Sequence, residues 1–395
     1  MYQFDNWFGS LSAGTTRFLT IAVFLINASA AIYLGVDSYR NPMGNWDIIP
    51  YAAIIRDNSV EDQAALSRLA YNEVRLYVGE KKYESLVSGE GIDGSYRRAM
   101  VEIPEALVAN LRFYSVKPLY IFLSKQATAL TRNSAAAAVL ISAIALSLFI
   151  VIFPLLFRWQ IVAAFALWAL LFTGEPKYSV LGAAATPDSL GILLAVTTVL
   201  LTVVRRGTLW IVGPMALLAV LARPDTIFIL TSLWIGLAWL ERKNGRMFNL
   251  AFCFVATTAL FLYLNSQALP WSTLFTHTFF DRQNFPSLTP QPVSISDYFR
   301  VIERTLPNVV SWRTSLFLTL GGLLTLVPWV RTRIIGPPQL LAAIAVINMV
   351  AHYLIFPIDE YGHERMFLSS YILVIASVLV MLQNTFARDH VQNSF

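Results

Sequence analysis

The sequence predicts an all-α fold: a polytopic bundle of about ten membrane-spanning helices with a large helical loop after the first. Three observations predict it. The 395-residue chain is 56% hydrophobic and only 13% charged, where a soluble domain carries about 25% charged residues. Its apolar residues come in blocks of roughly 15–22, the length of a helix that crosses hydrocarbon. The basic residues between blocks fall mostly on alternate connections, the bias that orients membrane proteins.

The first block, 18–36 (FLTIAVFLINASAAIYLGV), contains Ala28-Ser29-Ala30, which looks like a signal-peptidase site. It is too long for a typical signal core, so a retained span is expected. The other blocks are 135–157, 160–174, 189–204, 208–222, 226–240, 248–266, 314–330, 338–356 and 367–386. With a cytoplasmic N-terminus, one side receives Arg17, Arg158, Arg205, Arg206, Arg242, Lys243, Arg246, Arg331, Arg333 and Arg388. The short connections on the other side receive only Lys177, Arg223 and Arg365. Both termini are therefore expected inside. This asymmetry accounts for the net charge of +5 without a nucleic-acid partner. The lone Cys253 lies in an apolar block and offers neither a disulfide nor a zinc cluster.

The chain divides into 1–36 (tail and first helix), 37–133 (first extracytoplasmic loop), 134–266 (six helices), 267–312 (a proline-rich loop) and 313–395 (three helices and a tail). The first loop, from Asp37 to Arg132, holds twelve basic and twelve acidic residues, a mixed surface unlike a nucleic-acid patch. Ser59-Val60-Glu61-Asp62 fits a capping box, and Leu66, Leu69, Ala70, Val74 and Tyr77 recur at helical spacing. A flexible stretch is expected at SGEGIDGS, 88–95. Further helices are expected from Pro104 and Pro118, because proline suits a first helical turn. The Pro118 helix is amphipathic and flanked by cations, as an interfacial helix is. The prolines of 267–312 argue against one continuous helix there.

This topology puts an acid or base on nearly every extracytoplasmic turn. Glu175, Lys177, Asp281 and Asp297 read as solvated loop charges. Arg223 and Asp225 flank Pro224 and are suited to neutralise each other near lipid. Asp188 suits the N-cap of the fourth span, and His352 reads as packed or interhelical. Asp47 and Lys117 are harder to dismiss, since each sits among aromatic and apolar residues.

The ordered set resembles the GT-C superfamily, membrane glycosyltransferases that use polyprenyl-phosphate-linked sugars, and within it bacterial relatives of aminoarabinose transferases and protein O-mannosyltransferases. Asp47 is similar to the family's acid at the start of a long helical first loop. Tyr114-Ser115-Val116-Lys117-Pro118-Leu119-Tyr120 is similar to its lysine–proline–leucine–aromatic segment. Glu364-Arg365-Met366-Phe367 is similar to an acidic–Arg–aromatic stretch before a late span. Thr186-Pro187-Asp188-Ser189 and Arg223-Pro224-Asp225 have counterparts at span ends. The chain departs from the family in having Ile48 after Asp47 rather than a second acid, and one proline after Lys117. The absence of WWDYG and of a large soluble C-terminal domain separates it from oligosaccharyltransferases.

The resemblance implies an inverting transferase at the extracytoplasmic face of a bacterial inner membrane. It takes a sugar from a polyprenyl-phosphate donor to a hydroxyl on a glycan, lipid or protein. Asp47 is the first candidate base and Asp188 the second, because a carboxylate in reach of a hydroxyl takes its proton during attack. Lys117, Arg365 and Arg223 are candidates for the donor phosphate, where cations offset the growing charge of the leaving group. Tyr120, Asp225, His363 and Glu364 complete the site as substrate contacts. No DxD triplet is present, so no nucleotide cofactor is expected; no metal ligands are assigned, and a divalent cation stays open. A polysaccharide polymerase and a lipid-linked sugar transporter or flippase stay open as alternatives.

Overall fold

The computed structural model describes residues 13–88, 91–173, 177–241, 247–332, 336–358 and 361–392. All regular structure among them is helical. Apolar blocks with no period-2 alternation leave helices as the way to satisfy every backbone N–H and C=O without water.

Helix α1 (Ala13–Arg40) is followed by the first-loop helices α2 (Ile48–Arg56), α3 (Gln63–Val78), α4 (Glu80–Ser88), α5 (Gly91–Glu102), α6 (Pro104–Asn110) and α7 (Pro118–Thr131). Then come α8 (Ser134–Leu155), α9 (Gln160–Phe172), α10 (Asp188–Val203), α11 (Leu209–Ala222), α12 (Ile227–Glu241) and α13 (Met247–Gln267). The proline-rich segment holds α14 (Trp271–Phe279) and α15 (Ile295–Val309), separated by non-helical chain. The chain continues through α16 (Trp312–Thr332), α17 (Pro337–Ile355) and α18 (Tyr361–Gln392).

Each of the ten apolar blocks forms a helix, but their lengths differ. Among the described residues five helices are long and apolar enough to cross a membrane: Thr20–Arg40, Ser134–Leu155, Met247–Gln267, Pro337–Ile355 and Arg365–Phe386. A sixth is added if the bent pair Ile295–Pro307 and Trp312–Leu326 counts as one span. Helices α9 to α12 have only 13 to 16 residues. At 1.5 Å per residue they reach roughly 20–24 Å, short of a hydrocarbon core of about 30 Å.

Several local expectations need correction. Helix α3 is capped by Asp62, whose carboxylate accepts from the N–H groups of Ala64 and Ala65. Ser59 instead donates to Arg56 O at 2.6 Å, so the cap lies three residues later than expected and the reciprocal capping box does not form, because Ala65 stands at its second position. The stretch 88–95 becomes helical from Gly91. Asp188 is the first residue of α10 and Pro187 the cap position, so its carboxylate is free for other partners. Helix α7 begins at Pro118 as expected, and Tyr120, Ile121, Ser124 and Ala127 bury one of its faces.

The first-loop helices share an apolar core with α8. Ile48, Tyr51, Ala70, Val74 and Tyr120 pack with Ala135, Ala138 and Val139. The small side chains at the start of α8 let α7 approach so closely that the Tyr120 hydroxyl donates to Ala138 O at 2.9 Å. Glu73 joins the same contact from α3. Its carboxylate takes Arg56 Nη2 at 2.6 Å and the Ser134 N–H at 2.8 Å, and it also accepts from the Ser134 hydroxyl. Deeper in the bundle, Asn27 of α1 donates to Ile150 O at 3.0 Å and accepts from Trp168 Nε1 at 2.8 Å. These bonds satisfy a polar group on an otherwise apolar helix.

Glu73→Ala should therefore detach the first-loop helices from α8. It leaves Arg56 without its carboxylate and the Ser134 N–H and hydroxyl without their acceptor, a loss of about 3 kcal/mol or more. Thermal unfolding in detergent should show a lowered midpoint, and proteolysis should cut first between 57 and 133; an unchanged midpoint would refute the role.

Candidate functional site

Three backbone breaks converge on one place. The first follows α1, where Gly44 takes the left-handed conformation (φ +71°) that glycine adopts without cost. From this turn Met43 N–H donates to Ala183 O at 2.9 Å, and Asn45 Oδ1 accepts from Ala185 N–H at 3.0 Å. The loop bearing Asp47 is thereby fastened to the segment that leads into Asp188, 141 positions later. Ser142 of α8 holds that segment from the other side through Thr186 O at 2.8 Å.

The third break lies between α11 and α12. Arg223 is extended (φ −156°, ψ 103°), and Pro224 opens a short 3₁₀ turn. Arg223 Nε donates to both oxygens of Asp225 at 2.8 and 2.9 Å, and its Nη1 donates to Asp188 Oδ1. Gly191 makes room for this arrangement, since a Cβ there would lie 3.1 Å from the Arg223 side chain. His352 of α17 completes it: Nε2 lies 3.1 Å from Asp225 Oδ2, and Nδ1 lies 3.0 Å from Asn348 O. Both contacts are with oxygens that accept, so a singly protonated ring makes only one of them. Burial pushes the Asp225 carboxyl upward, but Arg223 and His352 outweigh it and hold the group well below the usual carboxylate range.

Arg365, at the start of the apolar part of α18, stands between two acids. Its Nη1 is 3.6 Å from Asp47 Oδ2 and 3.7 Å from Asp188 Oδ2. These are charge contacts beyond hydrogen-bond length. Arg365 Nε and Asp188 Oδ2 are both buried without a hydrogen-bond partner, so the pair leaves one donor and one acceptor unsatisfied within the protein. Asp47 accepts from the Tyr114 hydroxyl at 3.2 Å and is the more accessible acid, with 24% of its side chain exposed against 6% for Asp188. Lys117 differs from both arginines. Its Nζ donates to Phe113 O at 2.8 Å and lies 5.3 Å from the Tyr114 ring centre, with no carboxylate in ion-pair range among the described residues. Burial lowers its pKa to about 8.

Asp47, Lys117, Asp188, Arg223, Asp225 and Arg365 line one cavity of about 620 Å³, within the usual range of ligand sites. Its lining also includes apolar residues from α12, α13 and α14 and the chain beside them, among them Phe228, Phe261, Leu269 and Phe356. The three predicted cations and three predicted carboxylates thus share one space with apolar surface. Further contacts join the first-loop helices to the proline-rich segment. Arg282 Nε donates to Asp93 Oδ1 at 3.0 Å, Asn110 Nδ2 donates to Asn284 O at 2.8 Å, and the His277 ring packs against Tyr96 and Phe113. Burial, with Arg282 nearby, lowers the pKa of His277 to about 4, so it is neutral at physiological pH.

Not every candidate reaches the cavity. Tyr120 is fully buried, its hydroxyl committed to Ala138 and its ring edge-on to Tyr51, so it supports the wall from behind and does not line the space. The side chains of His363 and Glu364, like Glu175, Asp359 and Glu360, lie outside the described residues. Sequence reasoning passed over Trp46, Tyr96, Arg97 and Arg112, which do line it. The available signal was the alternation of cations and aromatics in Tyr96-Arg97 and Arg112-Phe113-Tyr114. Among the described residues no group of three or more His, Cys, Asp or Glu is arranged to hold a metal ion. Comparison with protein-family models, curated proteins and solved structures gives no match for this chain.

The two kinds of cation should respond oppositely to removal. Arg223→Gln leaves Asp188 and Asp225 buried and under-paired, and breaking such a pair costs about 3–5 kcal/mol. Lys117→Met removes a buried ammonium without orphaning a carboxylate, so its unfolding midpoint at pH 7 should match or exceed that of the native protein. The sign with pH is fixed by the same shift. Below about 8 both folded and unfolded chains hold the Lys117 proton. Between about 8 and the ordinary 10.5 the unfolded chain holds more of it, so this group's contribution to stability rises with pH. Equal losses in the two variants, measured by thermal unfolding, would overturn the distinction.

Proposed function

We propose that the protein is an integral-membrane glycosyltransferase. It moves a sugar from a polyprenyl-phosphate carrier to a hydroxyl on a cell-envelope glycan, lipid or protein, with inversion at the anomeric carbon. The observation that carries this reading is the meeting of an accessible carboxylate, partly unsatisfied cations and an apolar wall in one cavity. That combination suits a substrate with a sugar, a phosphate and a hydrocarbon tail. The resemblance of the Asp47, Lys117 and Arg365 segments to GT-C enzymes supports the same reading. On it, the ten apolar helices are ten crossings of a bacterial inner membrane, with both termini cytoplasmic and the cavity open to the periplasm. The distribution of basic residues between the blocks supports that orientation.

The chemistry assigns one task to each group. The anomeric carbon–oxygen bond to the phosphate breaks and its electron pair stays on the phosphate. Lys117 and the free Nε of Arg365 donate to the oxygens on which charge grows, an interaction stronger in the transition state than before it. The acceptor oxygen attacks the opposite face of the carbon and loses its proton to Asp47. Products are the new glycoside, polyprenyl phosphate and protonated Asp47, which returns its proton to water. Asp188 anchors Arg223 and faces Arg365, so it positions the cations, and Asp47 is the base. Arg223 spends its donors on Asp188 and Asp225 and acts as a structural clamp.

Two measurements test this. Purified protein in lipid nanodiscs, given a panel of polyprenyl-phosphate-linked sugars, should release polyprenyl phosphate from at least one. Asp47→Asn should slow release about 10²–10⁴-fold, and a folded Asp47→Asn protein with native activity would sink the assignment. The donor KM should also rise with pH as Lys117 loses its proton near pH 8, and Lys117→Met should abolish that pH dependence.

A further inference from the structure

The cavity carries more positive charge than its own carboxylates neutralise. Six lining residues are Arg or Lys and four are Asp. Arg223, Arg365 and Arg282 face those acids. Arg97 and Arg112, both from the first-loop helices, have neither an ion pair nor a side-chain hydrogen bond among the described residues. Their position is also distinct from the donor cations. The Arg97 guanidinium lies over the Trp46 ring, 5.4 Å from its centre, and Trp46 immediately precedes Asp47. Arg112 is exposed and belongs to the 3₁₀ turn before Tyr114.

A guanidinium stacked on an aromatic face keeps its edge N–H groups free and holds them in a fixed plane. That edge matches the two oxygens of a phosphate or carboxylate. We infer that Arg97 and Arg112 bind an anionic group, phosphate or carboxylate, on the acceptor, so that the substrate glycosylated at Asp47 is an acidic glycan or a phosphorylated sugar. This rests on the transferase reading for its meaning, though anion binding itself does not. A hydroxyl placed at Asp47 puts neighbouring acceptor groups against Trp46 and Arg97, while the donor phosphate occupies Lys117 and Arg365.

The test measures binding, so that it survives failure of the transferase assay. Full-length protein in nanodiscs is titrated with glucose 6-phosphate, glucuronic acid and glucose, and separately with polyprenyl phosphate. At least one anionic sugar should bind at least about tenfold more tightly than glucose, the effect of one charge-assisted contact of about 1.5 kcal/mol. Preference for the phosphate identifies a phosphorylated acceptor, and preference for the uronate an acidic glycan. Arg97→Gln/Arg112→Gln should erase the preference but keep polyprenyl-phosphate binding, which doubles as the check on folding. Arg97→Lys should retain only part of it, because lysine keeps the charge without the planar fork. Equal binding of all three sugars, or a preference that survives the double substitution, overturns the inference. So does a preference removed by Lys117→Met instead. Anionic-sugar binding in a protein that ignores polyprenyl phosphate would retire the donor assignment and leave this site standing.

Discussion

The structure around the cavity depends on one guanidinium. Arg223 draws together Asp188 at the head of α10 and Asp225 at the head of α12, and through Asp225 it reaches His352 of α17. Three helices from separate parts of the chain are thereby tied at one level. Burying ions is expensive, and it is tolerable only where geometry and hydrogen bonds offset the lost hydration. Here the Nε–H of Arg223 is shared between both oxygens of one carboxylate and its Nη1 donates to a second. Two of the helices concerned, α10 and α12, are shorter than a hydrocarbon core is thick, and the clamp sits where these two begin and α17 ends. Short helices and a charged cavity are two aspects of one arrangement.

Separating clamps from unsatisfied groups gives the charges different meanings. A cation paired directly with two protein carboxylates has its charge largely neutralised before a ligand arrives. Arg223 is in that condition. Arg365 contacts Asp47 and Asp188 only at long range and keeps a buried N–H without a partner. Lys117 is held by a backbone carbonyl and an aromatic face, which position an ammonium without neutralising it. Buried polar groups are normally satisfied, which sets Arg365 and Asp188, with one unsatisfied atom each, apart from Arg223 among the cavity's charges.

Much of this was legible in the chain. Apolar block length and the absence of period-2 alternation located all ten apolar helices, because in such segments the only local solution is helical. Pro104 and Pro118 start helices for the reason proline always suits that position. Asp47 and Lys117 stood out because each sits among aromatic and apolar residues, while Arg365 was named from the segment that carries the family resemblance and Asp188 from a span end. Local pattern was less reliable where tertiary contacts compete. Ser59 had the composition of a cap, but Asp62 lies next to the true helix start and caps with a stronger acceptor. Asp188 suited a cap too, and the arginines took its carboxylate. Tyr120 was named from its motif, yet its hydroxyl was claimed by Ala138 on the neighbouring helix, a contact with no trace in sequence spacing.

The long-range assembly is the part no local pattern encodes. Asp47 and Asp188 approach because one backbone hydrogen bond, from Met43 to Ala183, and one to the Asn45 side chain, from Ala185, fasten residues 43–45 to residues 183–185. The left-handed Gly44 and the alanines at 183–185 are what permit that approach, and neither carries charge or chemistry. Similarly Gly191 admits Arg223 only because it lacks a side chain. The charged residues of the cavity are therefore placed by small, silent ones. A reading that weighs only reactive side chains finds the members of such a site but not the reason they meet; that reason lies in the positions where a Cβ or a longer side chain would not fit.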